Sequence, residues 1–411
     1  MNPDDRYLVI SADCHGGGNI RDYRGYLPAA LRAEFDAWAE SYEIPYEDMK
    51  GPEGYKNWDS DRRLQEMEDD GIVAEVIYPN TVPPFFPKPS LSDQPPPANE
   101  GDRAKRWEGL KAHNRWLADF CAQAPGRRAG IVQIMLHDVP AAVEEIRWAK
   151  AAGLTGGVLL PGAPPGSGLE PLYNPDYYEP LWAVCEELGM PLNHHSGSAA
   201  PPMRDSDEDA VVFILEVTWW AHRAFTHLLV GGAFERHPEL KFVLTEQGTA
   251  WIPDELMRLD GMFYRFRTAV GSQEFEWGQP IVQKLSMMPS EYWKRQCFVG
   301  SSFIRPPEAA MRHQVGLDKI MWGSDYPHKE GSPPYSREAM RASLSGIDPE
   351  EVQQMLGLNA AGVYGFDVAA LQIIADKVGP TVAEINTPLQ RGSIPREAEA
   401  CPALIGFATP V

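Results

Sequence analysis

The sequence predicts a (β/α)8 barrel of the TIM type, with loops inserted over its C-terminal face and a C-terminal extension. Three observations lead there. Eight short apolar runs recur along the 411 residues, nearly all separated by helical segments, an alternation that implies a parallel sheet. Eight such units are what a closed barrel requires. The ends of several runs carry acids and histidines, and chemistry in such barrels sits at the carboxyl ends of the strands. The competing arrangement is an open doubly wound sheet. It would show a G-x-G-x-x-G turn after strand one, whereas Gly16-Gly17-Gly18 lacks that spacing and runs into irregular sequence.

Strand one is the apolar run 7–10, continuing to Ser11-Ala12-Asp13-Cys14-His15. Residues 16–60 are expected as an excursion above its tip, with a short helix within 27–38. Residues 59–70 read as a helix that Gly71 ends. The run 72–78 is strand two. Residues 79–103 hold too many prolines for a helix or a central strand. A long loop of this kind suits a lid, and the rings of Phe85 and Phe86 need something to cover.

A helix over 107–122 places Leu110, Asn114, Leu117 and Cys121 at near-helical spacing. Strand three is 130–136, and Asp138 caps a helix over 139–152 that Gly153 closes. Strand four (157–160), a helix (180–188) stopped by Gly189, and strand five (190–195) follow. Residues 209–236 are mostly helical. Strand six (240–246), a helix over about 252–269, strand seven (296–301), a helix from Pro307 and strand eight (319–325) complete the count. Helices at about 349–356 and 368–378 close the body. The barrel domain is expected to span 1–379, with insertions at about 16–60 and 79–103, and the Pro-rich tail 380–411 to wrap the surface.

Composition narrows the partners. Hydrophobic residues make up 43%, ample for a large core, and 37 basic against 58 acidic residues give a net charge of −21. That argues against nucleic acid and anionic membrane as partners, but not against an anionic small molecule. The five cysteines (Cys14, Cys121, Cys185, Cys297 and Cys401) are scattered, without a Cys-x-x-Cys pair. The N-terminus is polar, and no run reaches the ~20 apolar residues of a membrane span. A cytoplasmic protein is expected.

The strand ends supply the chemistry. Residues i and i+2 of a strand share a side, so Asp13 and His15 project together with Cys14 turned away. His194 and His195 end strand five, Glu246 ends strand six, and Asp325 with His328 follows strand eight. These residue types bind metal and move protons. Of two adjacent histidines only one faces the barrel axis, and the turn at Ser196-Gly197 favours His195 at the tip. A carboxylate emerging from a buried strand, as Asp325 does, needs a cation or several donors. His222, after Trp219-Trp220, reaches towards a pocket, whereas His227 reads as core. His113, His137, His237 and His313 read as surface or structural residues.

These residues sit in motifs: ISADCH near the start, PLNHHSG at strand five, GGAFERHPELKFVLTEQGTAW around strand six, IMWGSDYPH at strand eight and LGLNAAGVYGFD after it. In them the chain resembles the amidohydrolase superfamily. The likeness is to the branch that includes aminocarboxymuconate-semialdehyde decarboxylase and the resorcylate-type decarboxylases. It covers roughly 7–367. The resemblance implies a barrel with one divalent ion, zinc expected and manganese the alternative. Asp13, His15, His195 and Asp325 would be the ligands, with Asp325 also serving as acid or base. It also places Arg62 or Arg63 where the decarboxylases keep basic residues for a substrate carboxylate. Many members carry His-x-His on strand one, where this chain has Asp-x-His. The decarboxylases carry a histidine on strand six, where this chain has Glu246.

The resulting expectation is a metal-dependent, non-oxidative decarboxylase (a carbon–carbon lyase) of a small cyclic or unsaturated carboxylic acid. Asp325, Glu246 or His194 would handle the proton, and Arg62, His222, His328 and Phe85 would contact the substrate. The alternative is a hydrolase of an amide, lactone or C–C bond using metal-activated water. A scaffold built on a dead barrel would show degraded ligand positions, and the sequence has the full set. A homo-oligomer is expected.

Overall fold

The computed structural model describes residues 1–44, 46, 49–87, 97–201, 206–269, 271 and 273–409. Eight parallel strands run round one barrel. They are β1 (Ile10–Gly16), β2 (Ala74–Pro79), β3 in two pieces (Arg128–Gly130 and Val132–Gln133), β4 (Val158–Leu159), β5 (Leu192–His195), β6 (Phe242–Thr245), β7 (Cys297–Ser302) and β8 (Ile320–Gly323). Each pairs in parallel with the next in sequence. The Ile131 amide, between the pieces of β3, bonds Ile77 O at 3.1 Å. The barrel closes where the Asp325 amide donates to Asp13 O (2.8 Å) and the His15 amide to Tyr326 O (2.6 Å). The last strand therefore delivers Asp325 directly beside the first.

Alternation along the strands divides the core. Ile10, Val76, Ile131, Leu159, Val243 and Met321 pack together inside the barrel, joined by Ala360, Ala361 and Val363. Val9, Ile77, Val158, Leu244, Val299 and Trp322 face the surrounding helices. One polar layer interrupts the interior. The Tyr78 and Thr245 hydroxyls lie 2.7 Å apart, and the Tyr364 hydroxyl donates to Asn193 Oδ1 at 2.9 Å. Burying these groups is tolerable because they satisfy one another.

The helices follow the expected order. Those near the site are α1 (Arg32–Ser41), α2 (Ser60–Asp69), α3 (Glu100–Ala122), α4 (Asp207–Val230), α5 (Ile252–Thr268) and α6 (Ser336–Leu344). Asp59 caps α2, and Gly71 ends it at φ 85°. Asn99 caps α3, so it begins seven residues before the expected 107, inside the stretch expected as loop. The helix expected over 209–236 is cut at Gly231-Gly232. Among the described residues, three further helices of eight or more residues were not expected: α6, Gln273–Val282 and Pro289–Gln296. The stretch expected as a helix at 349–356 continues through a π turn to Tyr364, because Gly357 packs directly on Leu8 O. In the tail, Leu389, Ile394, Ala398 and Leu404 bury against Ala339 of α6. Part of the proline-rich loop, 88–96, lies outside the described residues.

Candidate metal centre

The site is built on an irregularity in β1. The register pairs Ser11 with Glu75 but Cys14 with Ile77, so β1 holds one residue more than β2 across this interval. Without that bulge, strict alternation from Ile10 would send Asp13 and His15 towards the helices. The bulge turns them into the barrel mouth, as bulges beside active sites do. Cys14 is left on the outer side, where its thiol contacts Ser11 Oγ and Ser324 Oγ.

Four side chains converge there. His15 Nε2 lies 3.4 Å from Asp13 Oδ1 and 3.2 Å from Asp325 Oδ1, and His195 Nε2 lies 3.4 Å from Asp13 Oδ1. All four residues are buried. Asp13 Oδ1, His15 Nε2, His195 Nε2 and Asp325 Oδ2 have no hydrogen-bond partner. Orphaned atoms on four buried side chains around His15 cost free energy unless something fills the space between them. Asp13, His15 and His195 form one group of possible ligands and His15, Asp325 and His328 another, joined at His15; two imidazoles and two carboxylates drawn from them are a donor set that fits a divalent ion.

Outer contacts aim these atoms. His15 Nδ1 faces Pro79 O at 3.4 Å, and His195 Nδ1 donates to Ser196 O at 2.8 Å. Both arrangements leave Nε2 pointing at the cluster, as metal-ligating histidines require. Ser302 Oγ donates to Asp13 Oδ2. Burial alone would raise the Asp13 carboxyl, but His15 and His195 hold it far below the usual carboxylate range. Asp325 is likewise held down, by His328 and His15 against its burial. Burial lowers His328, yet the adjoining Asp325 carboxylate outweighs it and brings the imidazole up to about 10.

Glu246 and Asp325 share a backbone feature. Glu246 directly follows β6 and Asp325 stands two residues past β8, both in the left-handed region, at φ 55° and 58°. Non-glycine residues adopt this conformation at a cost, and they cluster at functional sites. Glu246 Oε2 stands 3.5 Å from His195 Nε2. Burial, then the charges of Asp325 and Asp13, push its carboxyl up to about 8. It is the acid whose protonated form the site favours.

Several expected site residues lie elsewhere. His194 faces the helix layer: its Nδ1 donates to Leu160 O at 2.9 Å, and burial lowers its pKa to about 4. Strand alternation sends it away from the reacting centre, so it does not handle the proton there. Arg62 is committed to Glu66 at 2.7 Å and to Pro52 O, on the surface side of α2. Arg63 is buried against Glu75 at 2.7 Å, on the side of β1 to which Cys14 points, and donates to His15 O. Neither arginine reaches the cluster. His222 stacks on Trp251 at 3.7 Å and lines a separate cavity of about 690 Å³ with Trp219, Arg223 and Trp251. Phe85 packs on Phe35 and Trp38 of α1. By contrast His328 lies within the site, 2.9 Å from Asp325 Oδ1 and with its ring 4.2 Å from that of His15. Sequence reasoning passed over Tyr78, Ser302, Asn57 and Asn80. Asn80 had a visible signal, as a polar residue just past the end of strand two.

A family model described as amidohydrolase matches residues 22–366. The chain belongs to the amidohydrolase family. Among curated proteins, this amidohydrolase is 30% identical over 284 residues to gamma-resorcylate decarboxylase of Rhodococcus jostii, covering 65% of the chain and 77% of that relative. Solved structures agree on the fold. The 5-carboxyvanillate decarboxylase LigW of Sphingomonas paucimobilis matches with a TM-score of 0.64 at 20% identity, over 88% of this chain and 100% of that one. The dihydroxybenzoic acid decarboxylase of Polaromonas sp. JS666, solved with manganese and 2-nitroresorcinol, matches with a TM-score of 0.59 at 17% identity, over 89% and 99%. Among the described residues, no helix of this amidohydrolase is long and apolar enough to cross a membrane.

Proposed function

We propose that this amidohydrolase is a metal-dependent, non-oxidative decarboxylase of a hydroxylated aromatic acid. One observation carries the reading. The orphaned atoms of Asp13, His15, His195 and Asp325 meet beside Glu246 in a chain 30% identical to a resorcylate decarboxylase. Those four residues would hold one divalent ion. Zinc and manganese both suit the donors, and the manganese in the Polaromonas structure makes it the first ion to test. Once bound, the ion supplies fixed positive charge for a substrate carboxylate or phenolate.

The protein's own residues do the rest. Decarboxylation breaks the bond between ring carbon and carboxylate, leaves the electron pair on the ring carbon, and needs one proton there. Glu246 is our candidate donor, since its carboxyl stands 3.5 Å from His195 Nε2, beside the four residues that would hold the ion. His328 keeps Asp325 ionised and oriented. With Arg62 and Arg63 engaged elsewhere, the substrate's negative charge falls to the ion and to His328.

A second reading, hydrolysis, draws on the same Glu246. It needs Glu246 ionised, as a base that takes a proton from water, in place of the protonated acid of the first reading. Incubating the manganese-loaded protein with hydroxybenzoates, muconate-type acids, lactones and amides separates the two. Release of CO2 supports the first reading, and ring opening or amide cleavage without CO2 overturns it.

We also take 1–379 as one domain with 380–411 as its surface tail, and expect a homo-oligomer. Val211, Leu215 and Trp219 form an exposed apolar stripe along α4, which suits a protein interface.

A further inference from the structure

A chain of side-chain amides leads from the excursion after β1 to His328. Asn57 Nδ2 donates to Gly54 O at 3.1 Å, which leaves Asn57 Oδ1 to accept from Asn80 Nδ2 at 2.6 Å. That bond turns Asn80 Oδ1 towards His328 Nε2, 3.2 Å away. On the other side of the ring, His328 Nδ1 donates to Asp325 Oδ1 at 2.9 Å. Flipping either amide would set two donors or two acceptors face to face. Both asparagines are buried. The backbone locks them as well: the Asn80 amide donates to Gly16 O (2.9 Å) and the Gly17 amide to Asn57 O (3.3 Å). A buried polar chain costs stability relative to an apolar one unless every member is matched. This one is matched along its length, and it ends on the imidazole beside Asp325.

We propose that Asn57 and Asn80 are positioning residues, which hold His328 in the orientation in which it bonds Asp325 and packs against His15. The inference rests on the reading of the cluster as the reaction centre. Neither asparagine touches a proposed ligand atom, so each acts through His328. Without the Asn80 acceptor, the Nε2–H loses its partner and the ring is free to turn. Misplacing a catalytic group by ~1 Å can cost on the order of a hundredfold in rate.

The test uses the full-length protein and the variants Asn80→Ala and Asn57→Ala. CO2 release from γ-resorcylate by the manganese-loaded enzyme should show kcat down about ten- to hundredfold in Asn80→Ala and less in Asn57→Ala, with KM within about threefold. The second readout needs no turnover. In side-chain correlation spectra of 15N-histidine-labelled, zinc-loaded protein, the His328 Nε2–H resonance, assigned by its loss in His328→Gln, should be present in the wild type and absent in Asn80→Ala. If Asn80→Ala does not fold, Asn57→Ala carries both readouts, and its resonance should shift or broaden. An unchanged resonance overturns the proposal, and so does an unchanged kcat. If the wild type releases no CO2 from γ-resorcylate, the spectrum alone decides: loss of the resonance upholds the positioning role while the assigned reaction falls.

Discussion

Gly323 leaves the space that the Asp13 side chain occupies: a β-carbon at 323 would lie 2.7 Å from the Asp13 β-carbon. Contacts that short do not occur between real side chains, so the last strand carries glycine here to let the first strand's carboxylate into the cluster. Gly323→Ala should displace Asp13. We expect metal stoichiometry below half that of wild type under equal loading, together with about 1–3 kcal/mol of lost stability from overpacking. Metal analysis and urea denaturation check both effects. Full occupancy in the variant would mean that Asp13 is not a ligand.

Ion binding should be visible as stability. A ligand that binds only the folded chain adds RT ln(1 + [L]/Kd), about 2.7 kcal/mol at a hundredfold excess over Kd. Manganese should therefore raise the melting temperature of the metal-stripped protein. The rise should vanish in His195→Asn, whose imidazole points into the cluster, and persist in His194→Asn, whose imidazole points away. Equal responses in the two variants would contradict the assignment.

The Arg63–Glu75 pair is buried behind β1, and Arg63 also holds His15 O. Arg63→Met leaves the Glu75 charge with only Arg128, at 3.2 Å. Breaking a buried pair typically costs about 3–5 kcal/mol. Denaturant unfolding should show a loss of that order, and a loss below ~1 kcal/mol would show that Arg128 suffices.

His113 offers a pH test away from the metal. Its ring is fully buried beside Tyr23 and Trp116 without a hydrogen-bond partner, and burial lowers its pKa to about 3. The unfolded chain takes up a proton near pH 6.5 that the folded chain refuses. This contribution to stability is present above pH 6.5 and is lost as pH falls from there towards 3, at up to about 1.4 kcal/mol per unit. His113→Leu removes that dependence. The gap between variant and wild type should move in the variant's favour between pH 6.5 and 4.5, and parallel curves would rule the mechanism out.

Periodicity and strand-end chemistry made much of this architecture legible. The apolar runs marked the barrel strands because buried parallel strands are continuously apolar. Adjacent His194 and His195 could be sorted because a strand has two sides. The bulge in β1 was not legible: Asp13 and His15 face inward only because an extra residue breaks the alternation that Ile10 begins. Asn57 and Asn80 were missed for a different reason. Their partners lie in distant parts of the chain, and a lone asparagine beside a loop looks like any turn residue. The helix Gln273–Val282 was hidden by its internal Gly278 and Pro280, and α6 by the prolines just before it. The resemblance placed Arg62 or Arg63 near a substrate carboxylate without showing that neighbouring acids, Glu66 and Glu75, engage both side chains.

The central claim is that one divalent ion at Asp13, His15, His195 and Asp325 supports decarboxylation. The direct measurement is CO2 release from γ-resorcylate by metal-stripped protein titrated with manganese. We expect activity to rise linearly and to plateau at one ion per chain, and to be absent at every manganese concentration in Asp325→Asn. Activity that is independent of manganese, or undiminished in Asp325→Asn, would contradict the account.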